Sequence, residues 1–120
     1  MLILMFFLHI VDDFYLQGIL AKLKQRGWWK KNAPNPLYRY DYIVGLIMHS
    51  FSWAFMVSLP FAIKLHFDFT IQYYVMLVFN VVVHALTDHL KANRKTINLV
   101  ADQTIHILQI ILTWVLLSYC

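Results

Sequence analysis

Four long apolar runs, separated by short polar links, organise the chain. The first runs from Met1 to about Leu23, the second from about Tyr40 to Lys64, the third from about Phe69 to Leu90 and the fourth from about Ile97 to Tyr119. Each is close to the roughly 20 residues that a helix needs to cross the hydrocarbon core of a bilayer. Backbone polar groups must be paired inside lipid, so these runs are read as helices even where β-branched residues cluster, as at Val81, Val82 and Val83. The first link, Lys22 to Pro36, carries the helix breakers Gly27, Pro34 and Pro36, with Trp28 and Trp29 suited to a headgroup zone. The second, Leu65 to Asp68, is short, and the third spans Lys91 to Thr96. The expected fold is all-α: one polytopic domain over residues 1–120, built as a four-transmembrane-helix bundle.

Composition agrees with lipid as the solvent. The chain of 120 residues is 61% hydrophobic and 13% charged, against about 45–50% and about 25% for soluble domains. The net charge of +4 raises nucleic acid as a partner, but the cations are confined to membrane-loop positions, which argues against it. Lys22, Lys24, Arg26, Lys30, Lys31, Arg39, Lys91, Arg94 and Lys95 share one side if every run spans, and only Lys64 lies on the other. By the positive-inside rule the first and third links are cytoplasmic and both termini face outward. The first run has no basic residues ahead of it and no small-residue cleavage signature, and it contains His9, Asp12 and Asp13, so it reads as a retained helix rather than a signal peptide. The single cysteine, Cys120, permits no intramolecular disulfide.

The apolar pattern is broken in a regular way. His9, Asp13 and Gln17 recur every four residues, as do Asn80, His84 and Asp88, followed by Lys91; the fourth run repeats this with Asn98, Asp102, His106 and Gln109, and the second adds His49 beside Ser50 and Ser52. Residues at i and i+4 share a helix face. Three runs therefore carry a His–Asp pair with the carboxylate toward the basic side, and the second run places a His near the same depth. One such pair is the pattern of an ordinary interhelical contact, worth about 1 kcal/mol or less. Three pairs and a fourth His are a different matter, because each ionisable group at mid-bilayer costs roughly 2.5–3.5 kcal/mol or more.

Imidazole and carboxylate are the usual ligands of zinc, manganese and iron. His9, Asp13, His49, His84, Asp88, Asp102 and His106 are the candidate ligands, and seven of them suffice for two ions with open positions. Zinc fits this set best. Asp13 or Asp88 is the candidate general base. Gln17, Lys91, Arg94 and Gln109 border the site as candidate substrate-binding residues; Lys91 and Arg94 are suited to phosphate. His66 and Asp68 fall in the short second link and are expected in solvent, and His89 among headgroups. Asp12 lies at i+3 from His9, beside Asp13 at i+4, and spacing alone does not choose between them.

The motifs His9-Ile-Val-Asp-Asp13-Phe-Tyr-Leu-Gln17, His49, His84-Ala-Leu-Thr-Asp88 and Asp102-Gln-Thr-Ile-His106-Ile-Leu-Gln109 resemble an uncharacterised family of small integral membrane proteins of bacteria and their phages. That family opens with a His-x-x-x-Asp-x-x-x-Gln helix and closes with Asp-Gln-x-x-His. The pattern is also similar to membrane-bound metal-dependent hydrolases. The resemblance covers nearly the whole chain and implies a multi-pass protein of the bacterial cytoplasmic membrane with a hydrolase-like metal site. The basic Trp28–Trp29 link is outside it.

The residues thus point to a membrane-embedded metal hydrolase whose site lies in the cytoplasmic half of the bilayer and takes an amphiphilic substrate, a lipid phosphate or lipid-linked compound. Two other functions compete. A His–Asp network can relay protons or pass a cation, in which case a chain this short calls for a homo-oligomer and pH-dependent flux without bound metal. A phage accessory protein of the lysis or holin type fits the small size and basic links but does not call for matched His–Asp pairs. Membrane lipids are partners in all three.

Overall fold

In the computed structural model, which describes residues 1–119, every regular element is helical. Cys120, expected on the far side of the membrane, lies outside the described residues. Helix α1 (Leu2–Ile10) passes into a π-helical turn (Val11–Leu16); short helices α2 (Leu20–Leu23) and α3 (Arg26–Asn32) and a 3-10 turn (Pro36–Tyr38) follow. Three long helices complete the chain: α4 (Asp41–Lys64), α5 (Ile71–Ala92) and α6 (Leu99–Ser118). Thr70 caps α5 by accepting from the Tyr73 amide, and Asn98 caps α6 by accepting from the Ala101 amide at 2.9 Å, so both helices start at side-chain acceptors able to satisfy an orphan N–H.

The stretch Pro36–Lys64, with 29 residues, α5 with 22 and α6 with 20 are long and apolar enough to cross a membrane. The first apolar run differs from expectation. It is not one helix to Leu23: α1 and its π turn end at Leu16, about 22 Å of rise by helix geometry, short of the roughly 30 Å hydrocarbon core. The break has a local cause. Gly18 takes φ +53°, a conformation that glycine adopts without steric penalty, and the chain restarts there as α2 at the basic end of the molecule. The π turn contributes as well, since its wider winding turns both Asp12 and Asp13 inward, where both are buried.

Inside and outside are inverted relative to a soluble bundle. Buried polar and charged side chains outnumber buried apolar ones, while Ile3, Phe7, Met48, Phe51, Val78 and Leu108 are among the many large apolar residues on the outer surface. Such a surface is favourable against lipid. The interior has two zones along the bundle. Met5, Val57, Phe61, Tyr73, Met76, Ile110 and Leu117 form an apolar core toward the α4–α5 link. The polar residues gather in the other half, nearer the basic links, with Trp53 at the boundary.

Helix α4 is central and packs on α5, α1 and α2. Its contact with α2 is a backbone approach: a Cβ at Gly45 would collide with the Leu23 carbonyl and the Lys24 amide. Trp29 Nε1 donates to the Leu23 carbonyl at 2.8 Å, and Asn93, at the end of α5, donates to the Lys24 carbonyl at 3.0 Å while accepting from the Arg26 amide at 2.5 Å. The first link is thereby fastened to both α4 and α5.

Candidate metal centre

Six buried side chains converge where α4, α5, α6 and the π turn meet. His49 Nε2 lies 3.1 Å from Asp88 Oδ2, 3.4 Å from Asp13 Oδ1 and 3.1 Å from His84 Nε2. His84 Nε2 is 3.7 Å from Asp88 Oδ2 on its own helix. His106 Nε2 is 3.2 Å from Asp102 Oδ1, one turn back on α6, and 3.6 Å from Asp88 Oδ1. The rings of His84 and His106 stack at 4.1 Å, and Trp53 stacks on the other face of His84 at 4.3 Å. Close packing of this kind fixes the imidazole orientations before any ligand arrives.

Three overlapping trios each bring one donor atom per residue within 4.8 Å of the others: Asp13–His49–His84, His84–Asp88–His106 and Asp13–Asp102–His106. The donor chemistry and spacing fit a cation. Zinc binds imidazole nitrogen and carboxylate oxygen at about 2.0–2.2 Å, which puts two ligand atoms of one ion roughly 3 Å or slightly more apart, close to the 3.2 Å and 3.6 Å that separate His106 Nε2 from Asp102 Oδ1 and Asp88 Oδ1. Charge points the same way. With the imidazoles neutral, Asp13, Asp88 and Asp102 carry three negative charges against the ammonium groups of Lys24 and Lys91, and the nearby buried Asp12 adds a fourth. A divalent cation would offset that excess.

The sharpest observation is at His106. Gln109 Nε2 donates to the Asn80 backbone carbonyl at 3.2 Å and to Asn80 Oδ1 at 3.1 Å, which leaves Gln109 Oε1 as the acceptor 3.1 Å from His106 Nδ1. Thr113 closes the relay, taking the Asn80 amide at 2.8 Å and donating to the Gln109 carbonyl at 2.7 Å. The proton of a neutral His106 is therefore held on Nδ1, and the Nε2 lone pair faces Asp88 Oδ1 and Asp102 Oδ1. Among the described residues, all three atoms are buried without a hydrogen-bond partner. Facing lone pairs of this kind repel unless a proton on Nε2 or a bound cation lies between them.

Two of the candidate residues stand apart from the three trios. His9 is buried, but both of its ring nitrogens are committed: Nδ1 accepts from Trp53 Nε1 at 2.8 Å, so Nε2 carries the proton and meets Gln103 Oε1 at 2.9 Å. No lone pair remains for a metal, and His9 is in none of the three trios. Arg94 is exposed and makes no ion pair among the described residues, so it is not brought to the cluster.

The other bordering residues are engaged within the protein. Lys91 Nζ donates to Asp102 Oδ2 at 3.0 Å, Gln17 donates to the Asp13 backbone carbonyl at 2.9 Å, and Gln109 supports His106 from behind. His66 and Asp68 are exposed, and His89 stacks on Tyr42. Spacing does not choose between Asp12 and Asp13 as the partner of His9, and both turn inward: Asp13 to His49, Asp12 to Ser52, whose hydroxyl donates to it at 2.6 Å.

Three contributors were not singled out by sequence reasoning. Lys24 is 5% exposed and pairs with Asp88 Oδ2 at 2.8 Å. Gln103 donates to Asp13 Oδ2 at 3.1 Å and Asp102 Oδ2 at 3.0 Å, joining α6 to the π turn. Trp53 holds His9 and covers His84. Trp53 had a legible signal: tryptophan favours the interface, and this one sits in the middle of its helix. Trp53→Phe keeps the ring but strands the His9 acceptor, so it is expected to cost about 1–3 kcal/mol, measured as a lowered unfolding midpoint in mild detergent.

No family model, curated protein or solved structure matches the chain. What the centre does must follow from its own side chains.

Proposed function

We propose that this chain is a membrane-embedded, metal-dependent hydrolase, with α1 and its π turn as the fourth helix of the bundle. On this reading the basic links lie in the cytoplasm, the termini face outward, and the centre opens toward the inner headgroups of a bacterial cytoplasmic membrane. The substrate is amphiphilic, a lipid phosphate or lipid-linked compound, because the polar cluster lies just inside the level at which such a headgroup sits. The observation that carries the proposal is the unpaired trio of His106 Nε2, Asp88 Oδ1 and Asp102 Oδ1, aimed inward by the Gln109–Asn80–Thr113 relay.

His84, Asp88 and His106 would hold the ion, zinc first by ligand type, with Asp102 reaching it from beside His106, and with His49 and Asp13 adjoining. When bound, such an ion lowers the pKa of a water and stabilises charge on a reacting oxygen. Asp88 is held by Lys24 and ringed by three imidazoles, which makes it a ligand. Asp13 is the better base: Gln103 orients one oxygen, and the other faces His49. Lys91 draws the second oxygen of Asp102 away from the centre and orients the first.

Elemental analysis of protein purified in mild detergent tests this. Wild type is expected to retain about one equivalent of transition metal per chain and His106→Ala less than about half, since losing a ligand weakens binding steeply. Wild-type protein below half an equivalent, with proton flux in vesicles, would replace the hydrolase by a proton relay.

A further inference from the structure

Of the two lysines at the cluster, Lys91 comes from a spanning helix and Lys24 does not. Lys24 lies just beyond α2, in a link whose other cations, Lys22, Arg26, Lys30 and Lys31, are exposed. Its backbone is clamped on three sides: Gly45 admits it by lacking a Cβ, Trp29 holds the Leu23 carbonyl, and Asn93 holds its own. The ammonium reaches Asp88 Oδ2 at 2.8 Å. That oxygen is 3.1 Å from His49 Nε2 and 3.7 Å from His84 Nε2. Lys24 therefore stands one carboxylate away from the Asp13–His49–His84 trio.

We infer that Lys24 is the second cation of the centre. It replaces a second metal ion and presents a fixed positive charge to an anionic oxygen of the substrate. The inference rests on the metal-centre reading above. In a two-metal site the ions sit about 3.5–4 Å apart and share bridging oxygens. Here the two oxygens of Asp88 are divided: Oδ1 faces the His106 side and Oδ2 belongs to Lys24. An ion at the His49 side would meet the ammonium at close range, and repulsion between like charges in a dry interior is strong. The centre thus holds one divalent ion, on the side of His106, Asp88 Oδ1 and Asp102 Oδ1.

An ammonium has three N–H donors, and Asp88 is the one described partner of this one. Its other donors suit an oxygen of a phosphoryl group better than that of a neutral carboxylic ester, because a charged acceptor makes the stronger bond. The approach side agrees. A cleft of about 300 Å³ lined in part by Arg26, Lys30 and Lys95 lies at the same end, and Asn93, which holds the Lys24 carbonyl, is in its wall.

The test counts metal by elemental analysis after equilibration with excess zinc and desalting, and measures orthophosphate binding to the loaded protein. Wild type and Lys24→Arg are expected to hold one ion per chain. Lys24→Met, which keeps the bulk and removes the charge, is expected to hold two at excess zinc and, when loaded with a single equivalent, to bind orthophosphate about tenfold more weakly than wild type loaded in the same way. Lys24→Gln gives the same readout should the methionine variant not fold. Two ions in wild type would overturn this inference and leave the metal centre standing. So would one ion in Lys24→Met with unchanged phosphate affinity. Less than half an ion in both proteins would remove the metal-centre reading itself.

Discussion

Asp88→Ala is expected to destabilise the protein by about 3–5 kcal/mol and to abolish metal retention at the same time. No other side chain in the cluster has so many charged or titratable neighbours: Lys24 at 2.8 Å, His49 at 3.1 Å, His106 at 3.6 Å and His84 at 3.7 Å, with no exposure to solvent. Removing it leaves the Lys24 ammonium buried without its counter-charge, and an uncompensated buried charge is far costlier than the pair is favourable. The two consequences can be separated. Lys24→Met combined with Asp88→Leu removes both charges and fills the space with apolar groups, a replacement that is often neutral or stabilising. The double variant should recover most of the lost stability in a detergent unfolding titration while still retaining no metal. Recovery of metal along with stability would show that Asp88 acts as a packing partner and not as a ligand.

The sequence located α4, α5 and α6 almost to the residue: about 40–64 against Asp41–Lys64, about 69–90 against Ile71–Ala92, and about 97–119 against Leu99–Ser118. Their bounds follow from where apolar runs meet polar links, which hydropathy reports directly. The i, i+4 repeats likewise place His84 with Asp88 and Asp102 with His106 on single helix faces, where the structure has them. What was illegible depended on backbone detours and on competition for lone pairs. A run of apolar residues does not announce the positive φ at Gly18, so α1 looked longer than it is. His9 has the same spacing to Asp13 as His84 has to Asp88, yet Trp53 and Gln103 take both of its nitrogens. Lys24 looked like one more topology-determining cation in a basic link. Its burial depends on Gly45, more than twenty residues away, whose role is readable only once the two backbones are seen to touch.

Gly45→Val is expected to undock α2 and cost about 3 kcal/mol or somewhat more, above the usual range for overpacking. A side chain placed against another side chain can be relieved by a rotamer change. At Gly45 the obstacles are the Leu23 carbonyl and the Lys24 amide, and backbone held by Trp29 and Asn93 has nowhere to move. Helix α2 has four residues, far fewer than the roughly 12–15 that make an isolated helix even marginal, so once displaced it has no reason to persist. Lys24 leaves with it, and Asp88 loses its counter-charge. The variant therefore tests more than stability: with Lys24 withdrawn, the count of bound zinc should rise from one toward two, as in Lys24→Met, although the lysine itself is intact. Gly27→Ala is the matched control. Beyond its chain neighbours and the backbone of its own helix, no described atom would lie within 4 Å of a Cβ at Gly27, the residue sits inside α3, and the exchange should be neutral or stabilising by about 0.4–1 kcal/mol. A metal count in Gly45→Val that stays at one, in protein whose first link has become sensitive to protease, would mean that the ammonium of Lys24 does not exclude a second ion and that the neighbouring imidazoles alone set the number.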